Sequence, residues 1–154
     1  MRPFLIAIAL ASAAVISPAD AAPATPEDQT ALEALAARND AAWNAADAAA
    51  ISAQYSEDGS LRLSGMTEAL TGRSAVHSYF ERSFAQRPTG LRHVSRLQRI
   101  EMVAPDLAFA DAHVRVETLQ EGRWQLAREF VNHSLLRREA GGWRLHSVRA
   151  HRLR

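Results

Sequence analysis

The chain has no cysteine and no lysine; all 18 of its basic residues are arginine. The first absence excludes a disulfide framework, a thiol nucleophile, a thiolate zinc site and an iron–sulfur cluster. The second excludes Schiff-base chemistry and any P-loop lysine. Only seven glycines are present, and none forms a phosphate-cradling loop or a Gly-x-Ser-x-Gly elbow. Nucleotide binding of the common kinds and a serine-hydrolase mechanism are therefore not expected, and no cofactor is expected. The net charge is +1, which gives no general case for nucleic acid or an anionic membrane as partner.

Long apolar runs are also scarce. Phe4 to Ile16 is an unbroken stretch of 13 apolar and small residues, short of the roughly 20 that a spanning helix needs. Met1-Arg2 precedes it, Pro18 follows it, and Ala19-Asp20-Ala21 reads as an A-x-A cleavage site. This pattern is that of a secretory signal peptide over residues 1–21, cleaved near Ala21/Ala22. It implies a periplasmic or secreted protein with no stable membrane anchor after cleavage. Residues 22–154 then form one domain: 47% of the 154 residues are apolar and 23% charged, a globular composition.

Thr25-Pro26-Glu27-Asp28 starts a helix, with Thr as N-cap, Pro in the first turn and acids beside it. Leu32, Leu35, Asn39, Ala42, Trp43 and Ala46 recur along one helical face. Asp47 can cap a second short helix carrying Ile51 and Tyr55, and Asp58-Gly59 reads as a turn before a short strand over Ser60–Ser64. Thr71-Gly72-Arg73-Ser74 opens a third helix, with Val76, Tyr79, Phe80 and Phe84 on one side and Pro88-Thr89-Gly90 at its end. Beyond it the period falls to 2. Leu91–Met102, Leu107–Thr118, Trp124–Glu139 and Trp143–Leu153 are strand candidates joined by short turns, which force antiparallel neighbours. The fold class is α+β, with helices packed on one face of a curved antiparallel sheet.

Charge is split between the halves: four arginines against nine acids over Ala22–Gln86, then thirteen against seven from Arg87 onward. The basic half has no interleaved aromatics of the kind that bind single-stranded nucleic acid. Each long strand carries a histidine, His93, His113, His133 and His146, which raises the question of a metal site. In an antiparallel hairpin the numbers of paired residues have a constant sum. The turns then place His133 opposite Ala110 and beside Val148 or Arg149, His113 opposite Phe130, and His93 beside Val116 or Glu117. Gaps of three rows, about 10 Å, are too wide for shared metal ligation. No metal is expected.

One smaller group converges: His133, Asp111 and Arg99 fall within about one row on three consecutive strands, with His146 diagonal to His133. The set reads either as a carboxylate-oriented imidazole for acid/base work, or as an Arg99–Asp111 ion pair with His133 beside it. Trp43, Tyr55, Tyr79 and Phe80 read as core residues or as the apolar lining of a pocket, with Tyr55 offering a hydroxyl. Asn39, polar on an apolar helix face, is a further pocket candidate.

Five landmarks in order resemble the SnoaL-like group of the nuclear-transport-factor-2-like superfamily, nearest its SgcJ/EcaC-type branch. They are Trp43-Asn44-Ala45-Ala46-Asp47, Tyr55-Ser56-Glu57-Asp58, Gly72-Arg73-Ser74-Ala75, Ala104-Pro105-Asp106-Leu107-Ala108 and Gly142-Trp143-Arg144-Leu145. The resemblance implies a cone in which about three N-terminal helices cover a strongly bent sheet and enclose a pocket. It also implies a homodimer packed through the sheet. The group's fold hosts ketosteroid isomerases, polyketide cyclases, dehydratases, epoxide hydrolases and binding-only proteins. By the same resemblance, Asn39 stands where the isomerases have an oxyanion-holding tyrosine. Leu63 stands near their general-base aspartate, and Asn132 or His133 near their protonated second aspartate, so an isomerase built in that way is not expected.

The expectation is an exported protein binding a small, largely apolar molecule. As an isomerase-, cyclase- or dehydratase-type enzyme it would use His133 as acid/base and Asp111 to orient it. Asn39, Trp43, Tyr55, Phe80, Arg99 and His146 would contact substrate. The alternative is a non-catalytic ligand-binding or dimeric assembly module.

Overall fold

The computed structural model describes residues 23–153; the expected signal peptide and its cleavage site lie outside them. Helix α1 (Pro26–Asn44) begins as its sequence dictates, with the Thr25 hydroxyl accepting from the Asp28 amide at 3.1 Å. A five-residue helix α2 (Ala48–Ser52) follows, capped by Asp47. It stops before Tyr55, which belongs instead to strand β1 (Tyr55–Leu63). A two-residue strand β2 (Leu70–Thr71) leads into α3 (Arg73–Ala85), which ends before the Pro88-Thr89-Gly90 segment. Four long strands then run as β3 (Leu91–Ala104), β4 (Leu107–Gln120), β5 (Arg123–Glu139) and β6 (Gly142–Arg152). Among the described residues no helix is long and apolar enough to cross a membrane.

The six strands form one sheet in the order β2-β1-β6-β5-β4-β3. Every neighbour is antiparallel except β1 and β6, whose parallel pairing the intervening chain is long enough to allow. The two-residue link Glu121-Gly122 between β4 and β5 has positive φ at both positions, 50° and 76°, the geometry whose twist suits a tight hairpin. Asp58-Gly59 does not turn the chain; it bows out within β1, where Tyr55 pairs with Leu145 and Ser60 already with Ser147. A Cβ on Gly59 would lie 2.9 Å from the carbonyl oxygens of Leu145 and Ser56, so the close approach itself calls for glycine.

Four further irregularities bend the sheet. Gln98 and Val103 are extra in β3, Ala127 in β5 and His146 in β6, each lying between consecutive pairs of its ladder. Such insertions increase local twist and change which way the following side chains point. The inner face of the curved sheet receives α1 and α3. One packed cluster gathers Leu32, Leu35, Met102, Ala108, Leu136 and Trp143, and a second gathers Tyr55, Leu61, Val76 and Val148. Between them the inward row of β4 is Ala108, Ala110 and Ala112, whose short side chains leave space beneath α1.

Candidate functional site

That space is a cavity with two adjoining lobes, about 70 Å³ and about 170 Å³. Asn39, Tyr55, His93, Asn132 and Val148 line both lobes. The smaller lobe is floored by Ala110, Ala112, Ser134 and Leu136; the larger is walled by Trp43, Tyr79, Phe80 and Phe130.

His93 is the imidazole that lines both lobes, and α1 holds it. Its Nδ1 lies 2.7 Å from Asp40 Oδ1, and the residue is 8% exposed. The Asp40 carboxylate also accepts from the Ser95 hydroxyl at 2.9 Å and the Ser95 amide at 2.8 Å. One turn further along α1, the Asn44 amide donates to the His93 carbonyl at 2.9 Å and accepts the His93 N–H at 2.7 Å. β3 is the edge of the sheet, so its outward backbone groups need such partners. Two side chains at i and i+4 of one helix thus replace a missing strand, and Asp40 also orients the imidazole. Trp43 packs its ring 5.2 Å from that of His93, and the Arg87 guanidinium sits 4.5 Å over Trp43 while donating to its carbonyl at 2.5 Å.

In the neutral tautomer whose Nδ1–H donates to the Asp40 carboxylate, Nε2 carries the lone pair. Burial pushes the Tyr55 phenol well above its ordinary range, reinforced by the neighbouring Tyr79, so Tyr55 offers an O–H and not a phenolate. Asn132 Oδ1 is buried with no hydrogen-bond partner among the described residues. An unpaired amide end in an apolar cavity is costly unless a ligand or water meets it.

Of the residues expected from sequence to contact substrate, Asn39, Trp43, Tyr55 and Phe80 line the cavity. The others do not. His133 and Asp111 do form a pair, Nδ1 to Oδ1 2.7 Å, but on the outer face of the sheet, with side chains 55% and 35% exposed. The expectation that they share a pocket with Asn39 is corrected by one residue of register. Counting from the turn pairs His133 with inward-facing Ala110, whereas the extra Ala127 pairs it with outward-facing Asp111. Arg99 pairs in register with Asp111 but bonds Glu101 at 2.6 Å, on the same outer face. His146 is the extra residue of the β6 bulge; it does not line either lobe, and its Nδ1 lies 3.5 Å from Asp58 Oδ1. Among the described residues no three histidine, aspartate or glutamate side chains could share a metal ion.

Neither His93 as a cavity residue nor Asp40 as its partner was singled out from the sequence. A faint signal exists: Asp40 and Asn44 form a polar i, i+4 pair flanking the apolar face of α1. Its meaning depends on which strand that flank meets.

A curved sheet covered by helices around such a cavity defines the nuclear-transport-factor-2-like class. Residues 32–150 match the model of the SnoaL-like domain, and the chain belongs to that family; the match does not single out a branch within it. A nuclear-transport-factor-2-like protein with a cystatin-like fold from Novosphingobium aromaticivorans is 27% identical, with 82% of each chain covered and a TM-score of 0.68. A domain of unknown function with a cystatin-like fold from Nostoc punctiforme aligns at a TM-score of 0.74 with 20% identity, over 85% of this chain and 80% of that one. A ketosteroid isomerase-like protein from Erwinia carotovora atroseptica aligns at 0.67 with 21% identity, over 84% of this chain and 99% of that one. No curated protein matches the sequence.

Proposed function

We propose that this protein is a cofactor-independent enzyme that moves a proton on a small, largely apolar molecule, with His93 as the general base and acid. The observation that carries this reading is His93 lining the cavity while Asp40 holds its Nδ1. In the proposed step, Nε2 takes a proton from a carbon next to a carbonyl, and the electron pair moves onto the carbonyl oxygen. That oxygen is met by the Tyr55 O–H or by the amide of Asn39 or Asn132. The imidazolium faces the Asp40 carboxylate, and its proton is then returned to another atom of the substrate. Isomerisation, ring closure and loss of water are the outcomes such a proton shuttle serves.

The test is α-proton exchange. Cyclic ketones are incubated with the protein in deuterated water and loss of the α-proton signal is followed by NMR. The expected result is accelerated exchange that falls by about a hundredfold or more in Asp40→Asn and His93→Gln, both checked for an unchanged fold by circular dichroism. Ketone binding without accelerated exchange in the native protein would sink the enzymatic reading and leave a binding module.

Two further proposals complete the picture. The outer sheet face serves as a homodimer interface, supported by exposed Val94, Phe109, Leu119 and Leu126 on outward positions. The His133–Asp111 pair and Arg99 belong to that face. Residues 1–21 direct export to the periplasm or medium, supported by the sequence pattern alone; an intact mass retaining them on the exported protein would refute it.

A further inference from the structure

We propose that the substrate is a ring-bearing monocarboxylate, and that Arg128 at the mouth of the cavity binds its carboxylate. This rests on the reading of the cavity as a substrate site and adds the substrate's class to it. Arg128 lines the larger lobe and is the only side chain of permanent charge among those lining either lobe. It faces inward because of the bulge. In the register that starts at the Glu121-Gly122 turn, Arg128 would pair with Arg115 on the outer face. The extra Ala127 pairs it with Val116 instead and turns it into the cavity.

No acid neutralises it there. The carboxylates nearest in the sheet are Glu117 and Glu129. The first is engaged by Arg92 and Arg115, the second by His113. Among the described residues none pairs with Arg128. A guanidinium fork without an ion-pair partner suits a carboxylate, whose two oxygens it meets with two parallel N–H donors.

The register also sets the substrate's length. His93, Val116 and Arg128 form one row across β3, β4 and β5. At the strand spacing of a sheet, the backbones carrying the base and the cation are about 10 Å apart. Between them in the row stands Val116, and Trp43, Phe80 and Phe130 line the same lobe. Below Arg128, the inward row of β5 passes through Phe130, Asn132 and Ser134 to Leu136. A molecule that fits enters with its apolar rings toward Leu136, its charge at the rim, and a reacting carbon about one ring away from the carboxylate.

The experiment titrates the full protein with 2-naphthoate and with 2-naphthamide, equal in shape and different in charge, by calorimetry. The expected result is about tenfold tighter binding of the carboxylate. That preference disappears in Arg128→Gln, with amide binding unchanged, and shrinks as salt is raised to 1 M, since the site is exposed. Because Arg128 is exposed on a strand, the substitution leaves the core intact, and a thermal melt verifies this. Equal binding of both probes by the native protein overturns the inference while leaving the cavity as a binding site. A preference that persists in Arg128→Gln overturns it as well. Failure of both probes to bind at millimolar concentration overturns it together with the cavity reading.

Discussion

Asp40 grips the ring of His93 with one oxygen and the backbone amide of Ser95 with the other, so one carboxylate orients the imidazole and anchors the strand that carries it. Stability and the proposed chemistry are therefore coupled at this site. A substitution there acts on both, and the two effects need separate readouts.

Asn44 separates them. It touches the backbone of His93 on both sides and leaves the ring alone. Asn44→Ala leaves an N–H and a C=O of an edge strand without partners, at a cost of about 2 kcal/mol. Urea unfolding should show that loss, and amide hydrogen exchange at His93 should speed up while β5 stays protected. An unchanged midpoint would mean that the α1 stitch does not secure the edge.

Asp28 gives the fold an acid-sensitive joint. The residue is buried, and burial by itself raises a carboxyl pKa. Hydrogen bonds from Thr25 and Trp143, with the Arg138 guanidinium, outweigh that and hold Asp28 below the ordinary carboxylate range. A folded-state pKa below the unfolded one contributes stability at neutral pH. That contribution is lost as pH falls through the folded value. Asp28→Asn should lower stability by about 2 kcal/mol at pH 7, and its gap from the native protein should narrow below about pH 4. Urea midpoints at pH 7 and pH 3 check this, and a gap that stays constant with pH would refute it.

Phe109, half-exposed on the outer face beside His133 and Asp111, tests the proposed dimer. Phe109→Arg places a charge at the centre of that face and should convert a dimer to monomer in sedimentation velocity, with ligand binding in the cavity retained. A native protein that sediments as a monomer at high concentration would remove the interface.

Much of the architecture is written in local pattern. The Thr25-Pro26 start of α1, the change of period after Gly90 and the four long strands follow from rotamer, capping and turn preferences that act over a few residues. Where local cues pointed to a helix at Tyr55 and a turn at Asp58-Gly59, tertiary packing overrode them. Pairing with β6 draws Tyr55 into a strand, and close contact with the Leu145 carbonyl keeps Gly59 inside it.

The site was legible in one half only. Asn39, Trp43, Tyr55 and Phe80 announce themselves as polar or aromatic positions on buried faces. The histidine does not, because facing in a sheet has period 2 and one extra residue sends the expected candidate, His133, to the other face. Ala127 is that residue: it turns His133 out to solvent and Arg128 into the cavity. The Asp40–His93 pair joins residues 53 positions apart through the docking of a helix flank on a sheet edge. Composition and periodicity thus dictate which elements form and in what order. Register and helix docking, which depend on long-range packing and on single inserted residues, decide which histidine faces the cavity.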